Sequence, residues 1–166
     1  MFLINRFGKY SNYAWILFLA FPFMMQGFKS EEILSKNEPI FLPIEAELDF
    51  HNQAIKLEVA RTKNTLSKGL TYREQIQNDR GMLYQSNFNN DSYFTGKGNK
   101  MATELIFLHG SLITDIQGIY PCDQDKCFQY TSREKYEEVI EVKAGVVNKL
   151  GLKIGSTVEI RYLPKS

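Results

Sequence analysis

Cys122 and Cys127 are the only thiols in 166 residues, and they fall in the stretch Tyr120-Pro121-Cys122-Asp123-Gln124-Asp125-Lys126-Cys127-Phe128-Gln129-Tyr130. Such a pair could be a redox couple, half of a metal site, or a clip that closes a loop. A structural zinc site takes four ligands and a catalytic one takes three plus water. Beyond the two thiols the chain offers only His51 and His109 as imidazoles, together with carboxylates. A redox pair of the thioredoxin kind favours two intervening residues and a helix N-terminus. Here Pro121 marks a loop, and Asp123 and Asp125 push the thiols away from the thiolate form. The residues favour a structural disulfide, whose ring of about six residues would contribute about 2 kcal/mol through chain entropy.

Other reactive constellations are scarce. The chain has no Gly-x-Ser-x-Gly nucleophile turn, no phosphate-binding glycine loop and no His-Glu-x-x-His helix. His109 beside Gly110 reads as a turn residue, and His51, just ahead of the first expected strand, reads the same way. No catalytic residue, metal ligand set or cofactor is therefore assigned. Lys plus Arg total 20 against 19 for Asp plus Glu, a net charge of +1. That balance gives no basic field to draw nucleic acid.

The compartment is read from the N-terminus. Arg6 and Lys9 precede an apolar run from Ala14 to Met25. Twelve helical residues span about 18 Å at 1.5 Å each, short of a hydrocarbon core of about 30 Å. Residues 1–29 thus read as a signal peptide or an N-terminal membrane anchor, although Met25-Gln26-Gly27 is a poor cleavage site. The expectation is an exported protein: periplasmic, cell-surface or secreted, and touching a membrane only through residues 14–25. Such compartments permit disulfides.

The elements that must position any site follow from periodicity. Residues 30–48 mix charges with Pro39 and Pro43 and read as a linker or edge segment. From there a single globular domain, 49–163, is expected. Ile55-Lys56-Leu57-Glu58-Val59-Ala60 alternates apolar and polar, as a half-buried strand does. Thr62 offers a helix N-cap and Gly69 a helix stop. Gly81–Tyr84, Glu104–Leu108, Leu112–Tyr120, Val139–Val142 and Ser156–Tyr162 read as further strands. His109-Gly110-Ser111 is a hairpin connection, and Ala144–Leu150 a two-turn helix ended by Gly151. Without regular strand–helix alternation, a doubly wound sheet is disfavoured. The expected fold is mostly β: a compact, largely antiparallel barrel or sandwich with two short helices.

Several blocks resemble one family. Leu66-Ser67-Lys68-Gly69-Leu70-Thr71-Tyr72-Arg73, then Asp79-Arg80-Gly81-Met82-Leu83-Tyr84, is similar to the opening signature of domain of unknown function 192. The Pro121-Cys122…Cys127 stretch resembles one common in its exported members. The ending Val142-Lys143-Ala144-Gly145 through Gly151-Leu152-Lys153-Ile154-Gly155 resembles its Ala-Gly helix and Gly-Leu-x-x-Gly turn. Together these span roughly 55–160. One departure stands out. Where the family commonly has Phe-Trp-Met-Lys-Asn-Thr, this chain reads Phe94-Thr95-Gly96-Lys97-Gly98-Asn99, so the bulky wall is missing.

The resemblance singles out three candidate ligand-binding residues. Arg73 closes the Gly-Leu block, and Glu104 matches an acid at a family strand start, with Ala102 in place of the usual proline. The two read either as a buried ion pair, as joint walls of a ligand pocket in which Arg73 grips an anion, or as separate solvated charges. Lys97 reads as a solvated loop lysine or as a ligand contact in the altered segment. The family has no established reaction. The functional expectation is a non-catalytic module for a small ligand or an envelope partner. Its alternatives are a hydrolase of envelope or carbohydrate material using Glu104, and a structural accessory without a pocket.

Overall fold

A computed structural model describes residues 37–88, 92–123 and 126–164. The strands are β1 (Ile44–Phe50), β2 (Gln53–Ala60), β3 (Arg80–Gln85), β4 (Thr103–His109), β5 (Leu112–Ile119), β6 (Glu138–Lys143) and β7 (Glu159–Tyr162). Two short helices, α1 (Lys63–Lys68) and α2 (Val146–Leu150), complete the set. The strands form one sheet in the order β5-β4-β6-β3-β2-β1-β7. Every pairing is antiparallel except β2 with β3, where α1 and the loop after it provide the crossover that a parallel pair needs.

The sheet curls until its ends meet. The Ile113 N–H donates to the Ser156 carbonyl at 2.9 Å and the Val158 N–H to Ser111 at 2.9 Å, which joins β5 to the segment leading into β7. The result is a curled half-barrel, mostly β with two short helices, as the periodicity implied.

Local chemistry accounts for the turns and caps. Thr62 caps α1 by accepting from the Thr65 N–H, and Thr65 answers with its own side chain. The β1–β2 hairpin turns through His51 and Asn52 at φ 47° and 62°. Two consecutive left-handed residues fit the right-handed twist of the strands they join. His51 is therefore a turn residue.

One expectation changes here. The pattern of 30–48 implies a linker or edge, yet Ile44–Leu48 belongs to β1, which pairs with β2 on one side and β7 on the other. Prolines at 39 and 43 and alternating charges masked a strand whose Ala46 and Leu48 are buried. The segment 1–29, read as signal or anchor, lies outside the described residues. Among the described residues no helix is long and apolar enough to cross a membrane.

Both faces of the sheet carry a core. On one, Leu57, Leu83, Ile106, Leu108 and Ile140 pack with Val146 and Val147 of α2. On the other, Met82, Tyr84, Leu105, Phe107 and Val139 pack beneath Leu70, Ile76 and the ring of Phe94. Period-2 alternation assigns every strand residue to one of these faces. That parity decides which polar side chains can meet.

Candidate functional site

Glu58, Met82, Glu141 and Leu105 form one row across β2, β3, β6 and β4. They share the face covered by Leu70, Ile76 and Phe94. Two carboxylates are thus buried on a single face, two strand spacings (roughly 10 Å) apart. Their relative exposures are 6% for Glu58 and 5% for Glu141, so each must be paired or neutral.

Glu58 is paired. Arg73 donates Nη1 to Oε1 and Nη2 to Oε2, both at 2.7 Å, the two-pronged fit that a planar guanidinium makes with a carboxylate. Arg73 also donates to the Ile40 carbonyl at 2.6 Å, and Glu58 accepts the Leu42 N–H at 2.6 Å. The Phe41 ring lies over the guanidinium at 4.6 Å. This clamp straps residues 40–42 onto the sheet.

Glu141 is held differently. Its Oε2 accepts from the Tyr84 hydroxyl at 2.5 Å and its Oε1 from Thr103 at 2.7 Å. The Asn99 carboxamide reaches the Thr103 hydroxyl at 3.5 Å. Burial pushes the Glu141 carboxyl above its ordinary value, against the lowering pull of the Tyr84 and Thr103 hydrogen bonds and of Arg73. Burial likewise raises the Tyr84 hydroxyl well above its usual range, and the neighbouring Glu141 charge adds to that.

Asn99 ends the altered segment, and its loop is stitched down on several sides. Phe94 and Tyr130 exchange backbone hydrogen bonds at 2.8 Å, and the Cys122 N–H reaches the Gly96 carbonyl at 3.3 Å. The Tyr72 N–H donates to the Gly98 carbonyl at 2.8 Å, and the Tyr72 hydroxyl to Asn37 at 3.2 Å. Cys122 and Cys127 are joined in a disulfide, with Cα atoms 5.4 Å apart. Between this loop and the disulfide opens a groove of roughly 770 Å³, walled by Asn37, Tyr72, Glu74, Lys97, Asn99, Lys100 and Asp123.

The two glycines of the altered segment have a steric cause. A Cβ on Gly96 would lie 1.8 Å from the Tyr120 carbonyl oxygen, and one on Gly98 would lie 3.0 Å from the Tyr72 ring. Gly98 also has φ +78°. The Tyr120 backbone and the Tyr72 ring occupy the places where side chains on Gly96 and Gly98 would stand.

Arg73 and Glu104 do not meet. Arg73 bonds Glu58 on one face of the sheet. Glu104, one residue from Leu105, turns to the opposite face, where its Oε2 accepts the Val147 N–H of α2 at 3.0 Å. The expected Arg73–Glu104 pair is replaced by Arg73–Glu58, because a step of one residue along β4 reverses the face. Lys97 is exposed and lines the groove, while Arg73 is 6% exposed and is not among the groove's described lining residues. Among the described residues no cluster of three or more His, Cys, Asp or Glu gathers as for a metal.

The partners that residue spacing missed are Glu58, Tyr84, Thr103 and Glu141. One signal was present. Glu141 is a lone acid inside Val139-Ile140-Glu141-Val142, and an uninterrupted apolar run reads as a strand buried on both faces. Glu58 gave a weaker hint, because its alternating strand suggested a polar face open to water.

No curated protein matches the sequence. Two solved structures share the fold. One is a protein of unknown function from Novosphingobium aromaticivorans DSM 12444, with TM-score 0.58, 22% identity, and coverage of 69% of this chain and 83% of that one. The other, from Sinorhizobium meliloti 1021, is described as a "putative transcription regulator". It also has TM-score 0.58 and 22% identity, covering 71% of this chain and 92% of that one. The family model DUF192, described as an uncharacterized ACR, matches residues 45–160. That span runs from β1 to β7 and contains both buried carboxylates, the altered loop and the disulfide: the chain belongs to the family of domain of unknown function 192.

Proposed function

We propose that this protein is an exported or envelope-anchored module that binds a small polar ligand in the groove between the 94–100 loop and the disulfide. The observation that carries the reading is preorganisation. The loop bearing Lys97 and Asn99 is fixed by backbone bonds to Tyr130, Cys122 and Tyr72, so a ligand would meet a wall already in place and the cost of ordering it is avoided. Its size falls within the few hundred to about 1,000 Å³ usual for small-molecule sites. Lys97, Lys100, Glu74 and Asp123 in the groove's lining suit a ligand with both anionic and hydrogen-donating groups. The disulfide and the apolar run 14–25 support export.

Binding is favoured over hydrolysis through Glu104 because neither it nor the buried Glu141 is among the groove's described lining residues. Glu104 is engaged by α2 on the far face, and both oxygens of Glu141 are already occupied. Arg73, buried and bonded to Glu58 and to the Ile40 carbonyl, supports a scaffolding role rather than a contact.

A thermal-shift screen of the purified protein against anions, glycans and envelope metabolites tests the groove. The expected result is a stabilising hit lost in Lys97→Ala and retained in Lys149→Ala, a remote exposed control. Silence across the panel, or equal loss in the control, defeats the reading. Cell fractionation tests export independently: recovery of the chain only in the cytoplasm, with free thiols, would contradict it.

A further inference from the structure

The 92–100 loop has a second hollow, separate from the groove. It holds about 520 Å³ and is walled by Leu66, Tyr84, Phe88, Tyr93 and Phe94, with Lys63 among its lining residues. We propose that this hollow is a binding site for a small planar aromatic carboxylate.

Ring geometry argues for a planar aromatic guest. Phe94 stands edge-on to Tyr84, with centroids 5.1 Å apart and an interplanar angle of 82°. It is also edge-on to Phe107 at 6.2 Å, while Phe88 tilts towards it at 6.2 Å. Aromatic rings prefer edge-to-face and offset arrangements at such separations, so Tyr84, Phe88 and Phe94 offer both faces and edges to one further ring. The walls are fixed. Phe94 is held through its backbone by Tyr130, and Tyr84 is 2% exposed with its hydroxyl donated to Glu141.

That donation also orients the guest. The Tyr84 hydroxyl is already committed to Glu141, so the inner end rewards carbon and the guest's polar group belongs towards solvent. Lys63 is exposed, makes no ion pair among the described residues, and carries the only formal charge among the described lining residues. Apart from Tyr84, the remaining polar side chains among the described lining residues are the hydroxyls of Ser67, Ser86, Ser92 and Tyr93. Among the described lining residues a carboxylate at the mouth therefore faces one cation and no acid, which favours an anion over a neutral or cationic head.

The test uses benzoate, benzyl alcohol, benzylamine and cyclohexanecarboxylate as probes on the full chain, read by calorimetry and by saturation-transfer NMR. Benzoate is expected to saturate and to receive magnetisation from the aromatic side chains. Lys63→Ala should weaken benzoate about two- to fivefold, the scale of an exposed ion pair, and leave benzyl alcohol unchanged. Phe94→Ala should abolish binding of both; because it removes a core ring, Lys63→Ala, on an exposed helix position, serves as the fold-neutral variant. The proposal is overturned if benzoate fails to saturate at millimolar concentration, if cyclohexanecarboxylate binds as well as benzoate, if benzylamine binds better, or if Lys63→Ala leaves benzoate untouched.

Discussion

Arg73 grips Glu58 with both prongs of its guanidinium at 2.7 Å, and the two residues are each 6% exposed. A buried pair of this kind is costly to break from one side, because the surviving charge is left in a medium that cannot solvate it. Arg73→Ala is expected to lower stability by about 3–5 kcal/mol. The double variant Arg73→Met with Glu58→Leu should recover most of that loss, since it removes both charges at once. Urea unfolding of the three proteins measures this. A double variant as unstable as the single one would show that the pair is not the unit.

Glu141 makes stability depend on pH with a defined sign. Burial raises its carboxyl from an ordinary value of 4.5, so the folded state prefers the protonated form more than the unfolded chain does. The resulting stabilisation is fully present below that ordinary value and is lost as pH rises through the raised one. Glu141→Gln cannot titrate. The stability of the natural protein relative to this variant should therefore fall as pH rises above 4.5, measured as urea midpoints. A difference that grows with pH would contradict the raised value.

Gly96 is the steric pivot of the altered loop. With its added Cβ 1.8 Å from the Tyr120 carbonyl oxygen, Gly96→Ala is expected to cost at least about 2 kcal/mol. Gly110→Ala is the comparison: it meets no atom within 4 Å but has φ +56°, so about 1–2 kcal/mol of backbone cost is expected there. Only the first should also disturb the groove, seen as altered backbone amide shifts at Lys97 and Cys122. Equal effects at both sites would mean that backbone angle alone decides.

The disulfide should matter more to the groove than to the fold. Closing a ring this short contributes about 2 kcal/mol, so the Cys122→Ser, Cys127→Ser double variant should stay folded with a modestly lowered melting temperature. Its affinity for any groove ligand should fall further than that loss implies, because the backbone of Cys122 helps to hold the wall that carries Lys97. Intact mass after alkylation without reductant should find no free thiol in the natural protein. Two free thiols would remove the premise.

Much of this architecture could be read in the chain, for reasons that are local. Thr62 and Gly69 announced α1 because capping is a short-range event, and alternation in 55–60 and 112–120 announced strands because the pleat has period 2. The site was harder, because its contacts are long-range. Arg73 to Glu58 spans 15 positions and Tyr84 to Glu141 spans 57, and no window along the chain reports which strands lie side by side. The Arg73–Glu104 expectation failed on parity: Glu104 and Leu105 adjoin in sequence and face opposite cores. β1 was missed because Pro39, Pro43 and scattered acids resemble a linker, while the partners that make it interior, β2 and β7, come later.

The strap over the sheet has a mechanical consequence. Any tension carried along the chain from residues before Asn37 enters the domain at that point. It loads first the Tyr72 hydroxyl bond to Asn37, then the Arg73 bond to the Ile40 carbonyl and the Glu58 bond to the Leu42 N–H, and only afterwards the ladder of β1. The first of these bonds also belongs to the groove wall, while the next two end in a buried ion pair. Pulling at the N-terminal side would therefore be felt at the groove before it reached the sheet, and the clamp would bear the force that could otherwise peel β1 away from β2 and β7.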